Sequence, residues 1–494
     1  MRKYICIIIS LLFTIPIWAR DYNIVTQGKA VADGKTLNTK VIQQAIDQLS
    51  KKGGGRIVFP KGIYLTGCLQ LKSGIELYIE KDAVLLGSTN PDDYYILNES
   101  QNTTRNNEVS KLALILADKL KNIALKGEGT IDGQGLQLAL NIDSLHHAGI
   151  RIDPNYNVRR MRPEGTARPT LFYFSECENI TISGLNTRNS SGWGLVFDLC
   201  SDLVIDQVNM ENRAYWNNDG FDITDCRRVK ITHCNVNSAD DGICLKSHHS
   251  NAYNDSIYIA DCEVRSSASA IKFGTASWGG FKNITVDNIR VFDTFRSAIA
   301  IESVDGGDIE NVNVSRITAK NTGNAIFIRL GHRAGERVGT VKNISIKDMN
   351  VEIPFGRPDI NYDLRGPEVD FFHNPFPSSI AGIPGHYIEG VHLENIEITC
   401  PGRATKGMAY IPLNRLNQVP EQIDKYPEFS MFGELPSWGF YIRHAKDITL
   451  KNVRLKLAEP DYRPAIIMDD VKGESLEQVF FPLDKKEQII KVNN

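Results

Sequence analysis

The sequence predicts an all-β fold: a right-handed parallel β-helix, a solenoid closed at its N-terminal end by an amphipathic helix. Three observations carry this. Short stretches of apolar–polar alternation recur along the chain, their apolar residues repeat in register, and helical periodicity is nearly absent after Ser50. In NNDGFDITDCRRVKITHCNVNSADDGICLK (217–246), Phe221 and Ile243 are separated by 22 residues, as are Ile223 and Leu245. A repeat of that length with period-two alternation inside it is the signature of a stacked solenoid.

The chain opens with MRKYICIIISLLFTIPIWA, a basic start (Arg2, Lys3), an apolar run and the small residue Ala19. This has the form of a secretory signal peptide and is too short for a membrane span. Residues 1–19 are read as a leader, and 20–494 as one exported domain, periplasmic or extracellular. No later stretch is apolar enough to cross a bilayer. Asn38 to Ser50 then carries Val41, Ile42, Ala45, Ile46 and Leu49 on one face, a helix suited to cap the apolar end of a solenoid. Gly53-Gly54-Gly55 follows a helix and precedes a strand, the wrong order for a phosphate loop, and is read as a turn.

RIVFP, GIYLTG, IELYIE and AVLLGS are short strands between Gly and Pro punctuation. From Asn122 the repeat is explicit in NIALKG, NITISG, LVIDQV, VKITHC, IYIADC, NITVDN, VNVSRI, NISIKD, VHLENI and ITLKNV. A second strand type runs through GLVF, GFDI, GICL, AIKF, AIAI and AIFI. Asn recurs at the turns, where it tolerates left-handed backbone. Three inserts, near 136–168, 353–386 and 403–438, interrupt the repeat. Loops of this length in a compact domain are commonly functional covers, and their aromatic content argues that they are ordered.

The formal net charge is −3, and about −5 once the leader is removed, so bulk electrostatics favour no nucleic-acid partner. Cys177, Cys200 and Cys226 each precede the first apolar residue of a strand by three positions, and Cys234 and Cys262 match in HCNV and DCEV. Recurrence in register predicts stacked columns of small buried side chains; metal ligands would need spacing such as C-x-x-C. A disulfide within a column is compatible with export.

The chemistry gathers on two turns. Asp219 and Asp241 share the offset of 22 residues, so they are expected to stack roughly 4.8 Å apart, with Asp240 beside them. Three carboxylates so close are costly unless one holds a proton or a ligand intervenes, which suits a general acid and a base. Plainer alternatives are Asx-turn corners or a calcium site. The register also predicts an outward column of Val196, Asp222, Cys244, Lys272, Ala300 and Phe327. A second outward column holds Asp198, Thr224, Lys246, Gly274, Glu302 and Arg329. Lys246, Lys272 and Arg329 would thus share a face with the aspartates, as a carbohydrate groove or as solvated ion-pair ladders. Trp193, Trp216 and Trp278 lie near these rungs and could stack on sugar rings.

GEGTIDGQG (127–135), RPTLFYFSECENITISG (168–184), NSSGW (189–193), NNDGFD (217–222) and ADDGICLKS (239–247) resemble, in this order, glycoside hydrolase family 28, the polygalacturonase-like enzymes. The resemblance implies a right-handed β-helix and inverting hydrolysis of pectic polysaccharide, with neither cofactor nor metal. It places the Asn-x-Asp motif on Asn217, Asn218 and Asp219 and the paired aspartates on Asp240 and Asp241. Asp241 then resembles the general acid, and Asp219 and Asp240 the residues that activate water. The sequence departs from the polygalacturonase pattern in two places. Ala268-Ser269-Ala270 stands for Gly-His-Gly, and Ala300-Ile301-Glu302 for Arg-x-Lys, whose cations hold the substrate carboxylate. Rhamnogalacturonan-type hydrolases are the nearest fit. Asn218, Asp222, Lys246, Lys272, Glu302 and Arg329 are the expected substrate-binding residues. Two other readings compete: a calcium-dependent polysaccharide lyase on the same fold, and a carbohydrate-binding β-helix without turnover.

Overall fold

The computed structural model describes residues 21–96, 110–359, 376–405, 413–482 and 488–493. The leader and parts of the second and third inserts lie outside these residues. The described strands belong to one continuous sheet whose strand pairs are all parallel, the ladder of a β-helix. Connected parallel strands wind with right-handed crossovers.

Most turns of the helix contribute three short strands. Phe221–Thr224, Arg227–Thr232 and Asn235–Ser238 form one turn; each pairs in register with its counterparts on the rungs before and after. The predicted register holds: Phe221 pairs with Ile243 and Ile223 with Leu245. The inward column continues from Leu245 through Phe273, Ile301 and Ile328 to Ile380 and Ile442, all fully buried. Period-two alternation therefore delivers one face of each strand to the core and the other to the site.

Helix α1 (Thr39–Lys51) closes the stack by burying Ile42, Ala45, Ile46 and Leu49 against the first strands. At roughly 1.5–3 kcal/mol for each large side chain buried, this is enough to seal the end of an apolar column. The triglycine is a turn, as read from sequence. Gly54 has φ +114°, and a Cβ there would lie 2.4 Å from the Gly74 carbonyl oxygen.

Helical structure does occur after Ser50, contrary to expectation. Helix α2 (Gly135–His147) opens the first insert and buries Leu138, Ala139 and Ile142. Its period is masked in the sequence because Leu136 and Leu140, on other faces, are apolar and exposed. The cysteines form the expected buried columns: Cys200 Sγ donates to Phe174 O at 3.4 Å and Cys226 Sγ to Phe197 O at 3.4 Å, and the eight cysteines from Cys68 to Cys400 are free thiols.

The third insert builds a second apolar cluster outside the sheet. Leu416, Val419, Phe429, Phe432 and Leu435 pack on Phe327, Phe376 and Tyr441. It covers the outward face from the Phe327 rung onward and leaves the Asp219–Lys272 rungs uncovered by that cluster. Among the described residues no helix is long and apolar enough to cross a membrane.

Candidate active site

The aspartates are presented by turns that continue the ladder. Gly194 N donates to Asp219 O at 3.1 Å, Gly220 N to Asp241 O at 2.9 Å, and Gly242 N to Ser269 O at 2.9 Å. Asp219, Asp241 and Ser269 thus occupy successive rungs, the first two at the expected offset of 22 residues and the third 28 residues further on. A Cβ on Gly220 would meet Gly242 O at 2.4 Å, so the residue after Asp219 has to be small for the turns to stack this tightly.

A cavity of about 500 Å³ opens over these turns. Asp219, Asp240, Asp241, Lys246 and Lys272 line its floor, with Trp193, Asn217 and Thr275. The first insert supplies Asn155, Glu164, Gly165 and Thr166 to the wall, and the third supplies Tyr426. Lys246 Nζ stands 4.3 Å from the centre of the Trp193 ring, a cation–π contact that fixes both side chains.

Two lysines organise the charge. Lys272 Nζ lies 3.0 Å from Asp241 Oδ2, and the Ser269 backbone N–H donates to Asp241 Oδ1 at 3.2 Å. Burial opposes ionisation of Asp241, but Lys272, then Lys246 and Arg296, overcome it and hold its carboxyl below the ordinary range. Lys246 Nζ sits 3.2 Å from Asp219 Oδ2 and 3.2 Å from Asp222 Oδ1. One ammonium between two buried carboxylates does not neutralise both. Burial, then Asp222, pushes Asp219 well above its usual value, and burial pushes Asp222 up to about 6. This pair holds a proton more readily than Asp241 does. Burial opposes the charge on both ammoniums, but Cys244, Asp219 and Asp222 around Lys246, and Asp241 and Tyr426 around Lys272, outweigh it. Asp240 differs from its neighbours. It lines the cavity half-buried, and among the described residues its carboxylate has neither an ion-pair nor a hydrogen-bond partner.

Four expected substrate contacts do not reach the cavity. Asn218 is buried and serves the backbone: Nδ2 donates to Ser190 O at 3.0 Å and Gly192 O at 2.7 Å, and Oδ1 accepts from Tyr215 N. Asp222 is covered and shares Lys246. Glu302 lies beneath Thr275, whose hydroxyl donates to it at 3.2 Å; burial pushes its carboxyl up to about 7. Arg329 is 1% exposed and donates to the carbonyls of Ala381, Gly382, Glu421 and Gln422, so it anchors the third insert. Alternation marks Asp222, Glu302 and Arg329 as outward, yet each is covered: Asp222 at Lys246, Glu302 at Thr275 and Arg329 under the third insert. Of the three tryptophans, Trp193 lines the cavity, while Trp216 stacks on Arg162.

Tyr426 and Glu164 were not expected. Tyr426 Oη accepts from Lys272 Nζ at 3.2 Å. Both residues come from inserts without periodicity, and their only sequence signal is the aromatic and charged content of those loops.

Two described groups have metal-ligand spacing: Asp219, Asp222 and Cys244, and Asp198, Asp225 and His249. In the first, the Lys246 ammonium stands among the three, 3.2 Å from each carboxylate and from Cys244 Sγ. In the second, Asp225 accepts from Ser247 Oγ at 2.6 Å and from the backbone N–H groups of His248 and His249.

Paired carboxyls of unlike environment in a walled cavity on a β-helix suit acid–base cleavage of a glycosidic bond. The family model for glycosyl hydrolases family 28 matches residues 55–354, and the chain belongs to that family. An endo-polygalacturonase of Pectobacterium parmentieri is 23% identical over 352 residues, 69% of this chain and 86% of that protein. Among solved structures, the family 28 exopolygalacturonase of Yersinia enterocolitica superposes with a TM-score of 0.68 at 20% identity, covering 92% of this chain and 78% of that one. The hyperthermoactive exopolygalacturonase of Thermotoga maritima gives 0.64 at 19%, covering 89% and 92%.

Proposed function

We propose that the protein hydrolyses a glycosidic bond of a galacturonan- or rhamnogalacturonan-type pectic chain with inversion, and that it is exported to do so by its first 19 residues. The observation that carries the mechanism is the asymmetry of the paired aspartates, Asp241 being held ionised by Lys272 while Asp240 lines the cavity with, among the described residues, no cation at ion-pair distance.

That asymmetry exchanges the roles expected from the resemblance. An acid must hold a proton when substrate binds, and a carboxylate ion-paired to a buried ammonium is poorly suited to that. Asp240 therefore protonates the glycosidic oxygen as the bond to the anomeric carbon breaks. Asp241 takes a proton from the water whose oxygen forms the new bond to that carbon, and Asp219, one rung away, positions the water. Lys246 and Lys272 fix the two buried carboxylates, and Ser269 supplies through its backbone the support that a histidine gives in the family pattern.

Exo action is favoured by the walls: residues of the first and third inserts face the same cavity, which suits a chain end better than a running polymer. The test is incubation with polygalacturonan, xylogalacturonan and rhamnogalacturonan, with identification of the first products. Small products from the outset mean exo cleavage; a rapid loss of viscosity at low product yield refutes it. Unsaturated products would replace hydrolysis by elimination, and release from none of the polymers would leave a binding protein. Export is checked by the N-terminal residue of the mature protein.

A further inference from the structure

The family pattern holds the substrate carboxylate with Arg-x-Lys, and this chain has Ala300 and Glu302 there. Lys246 and Lys272 are committed to the catalytic carboxylates, and Arg329 to carbonyl oxygens. The question is which cation remains for a substrate carboxylate.

Arg162, in the first insert, has the properties required. It is 5% exposed, and its Nε and Nη1 are buried without a hydrogen-bond partner. Among the described residues its guanidinium is in no ion pair. It stacks on Trp216, with Cζ 4.2 Å from the ring centre. Trp216 adjoins Asn217, and Arg162 lies two residues before Glu164; Asn217 and Glu164 both line the cavity. Burial, then the like charge of Arg160, oppose its charge; Glu164 and Asp240 lie close enough to favour it, and neither is its ion-pair partner. Glu164 instead accepts from the backbone N–H of Gly165 at 2.9 Å.

A guanidinium buried without acceptors is costly, and its planar fork matches a carboxylate bidentately. Stacking on Trp216 fixes the plane of that fork. Arg162 is not itself exposed in the cavity, but Glu164 and Asp240, which act on its charge, and Asn217, next to its stacking partner, all line it, so the guanidinium lies beside that part of the wall. We propose that Arg162 recognises the carboxylate of an unesterified uronate unit bound between the first insert and Asp240. This rests on the pectic-hydrolase reading and deepens it: specificity for a free acid passes from the strand to an insert.

The experiment compares a galacturonate oligomer with its methyl ester on wild type, Arg162→Gln and Arg162→Lys. In Arg162→Gln, kcat/KM should fall about 30-fold or more on the acid and less than about threefold on the ester, so that discrimination collapses. Arg162→Lys, which keeps the charge but not the fork, should fall between. Equal losses on both substrates are what a purely structural role in the insert would give, and they overturn the proposal; so does an unchanged kcat/KM on the acid. If wild type cleaves neither, the hydrolase reading fails by itself. Calorimetric titration of the galacturonate oligomer into wild type and Arg162→Gln then decides the recognition claim: binding weakened about tenfold or more supports it, and equal affinity overturns it.

Discussion

Lys272 and Asp241 form a buried ion pair, with Nζ 3.0 Å from Oδ2 and side chains 2% and 5% exposed. The two residues come from successive rungs, so the scaffold rather than a flexible loop sets the distance. A base must be ionised, and this ammonium is the strongest influence keeping Asp241 so against burial. Lys272→Gln should raise the Asp241 pKa. Activity carried by a carboxylate base appears as pH rises through its pKa, so the acidic limb of the kcat/KM profile should move to higher pH. About a hundredfold of activity should be lost on that limb, with partial recovery above it. A proportional loss at all pH values would show that Lys272 acts otherwise.

The role exchange between the paired aspartates has its own signature. Asp240→Asn should lose at least about a thousandfold on natural substrate but far less on an aryl galacturonide, whose leaving group needs no proton. Asp241→Asn should lose as much on both, because the attacking water still needs a base. The opposite pattern would restore Asp241 as the acid.

The backbone and its charges were legible for one reason, the period. An offset of 22 residues placed Asp219 over Asp241, and the alternation of the GICL and AIKF strands placed Lys246 and Lys272 on the same face. Alternation gives direction and nothing about cover. Arg329 and Glu302 point outward as read, but the 413–438 stretch and Thr275 lie over them, so residues expected to face substrate are buried. Asn218 failed differently: its amide is consumed by turn carbonyls that sequence does not reveal. Tyr426 and Glu164 reach the site from loops far away in sequence, where no local pattern says which way a chain runs.

Chelators should leave activity unchanged. The carboxylates that would hold a divalent ion, Asp219 and Asp222, share the Lys246 ammonium, and two like charges exclude each other from one small site. Activity lost in EDTA and restored by calcium would instead support elimination through a metal-acidified proton.

Glu302 should make stability depend on pH. Its folded carboxyl is pushed up to about 7 by burial, against an ordinary value of 4.5. A carboxyl raised in the folded state contributes stability that is complete below its unfolded pKa and is lost as pH rises through the folded one. The chain should thus lose on the order of 3 kcal/mol between about pH 4.5 and 7 through this residue. Glu302→Gln, which cannot ionise, should flatten that slope in urea unfolding at a series of pH values. A slope identical to wild type would refute the assignment.

Stereochemistry is the last test, and the spacing of rungs alone points the wrong way. Stacked strands put the backbones of Asp219 and Asp241 roughly 4.8 Å apart, near the 5–5.5 Å that lets a carboxylate attack carbon directly in a retaining enzyme. The side chains decide otherwise. Asp241 is drawn down onto Lys272 and the Ser269 N–H, and Asp219 onto Lys246, so both are held by cations and not aimed as nucleophiles. Asp240, the next residue in the chain, lines the same cavity half-buried and, among the described residues, is held by no cation at ion-pair distance, so its surroundings differ from those of Asp241. With Asp240 as the proposed acid and Asp241 as the proposed base, a water has to stand between base and sugar, as in inverting enzymes, whose carboxyls are about 6.5–9.5 Å apart. Proton NMR of the first product, recorded before mutarotation, should show the anomer opposite to that of the cleaved bond. A retained configuration would make one of these aspartates a nucleophile and overturn the water-mediated mechanism while leaving the site in place.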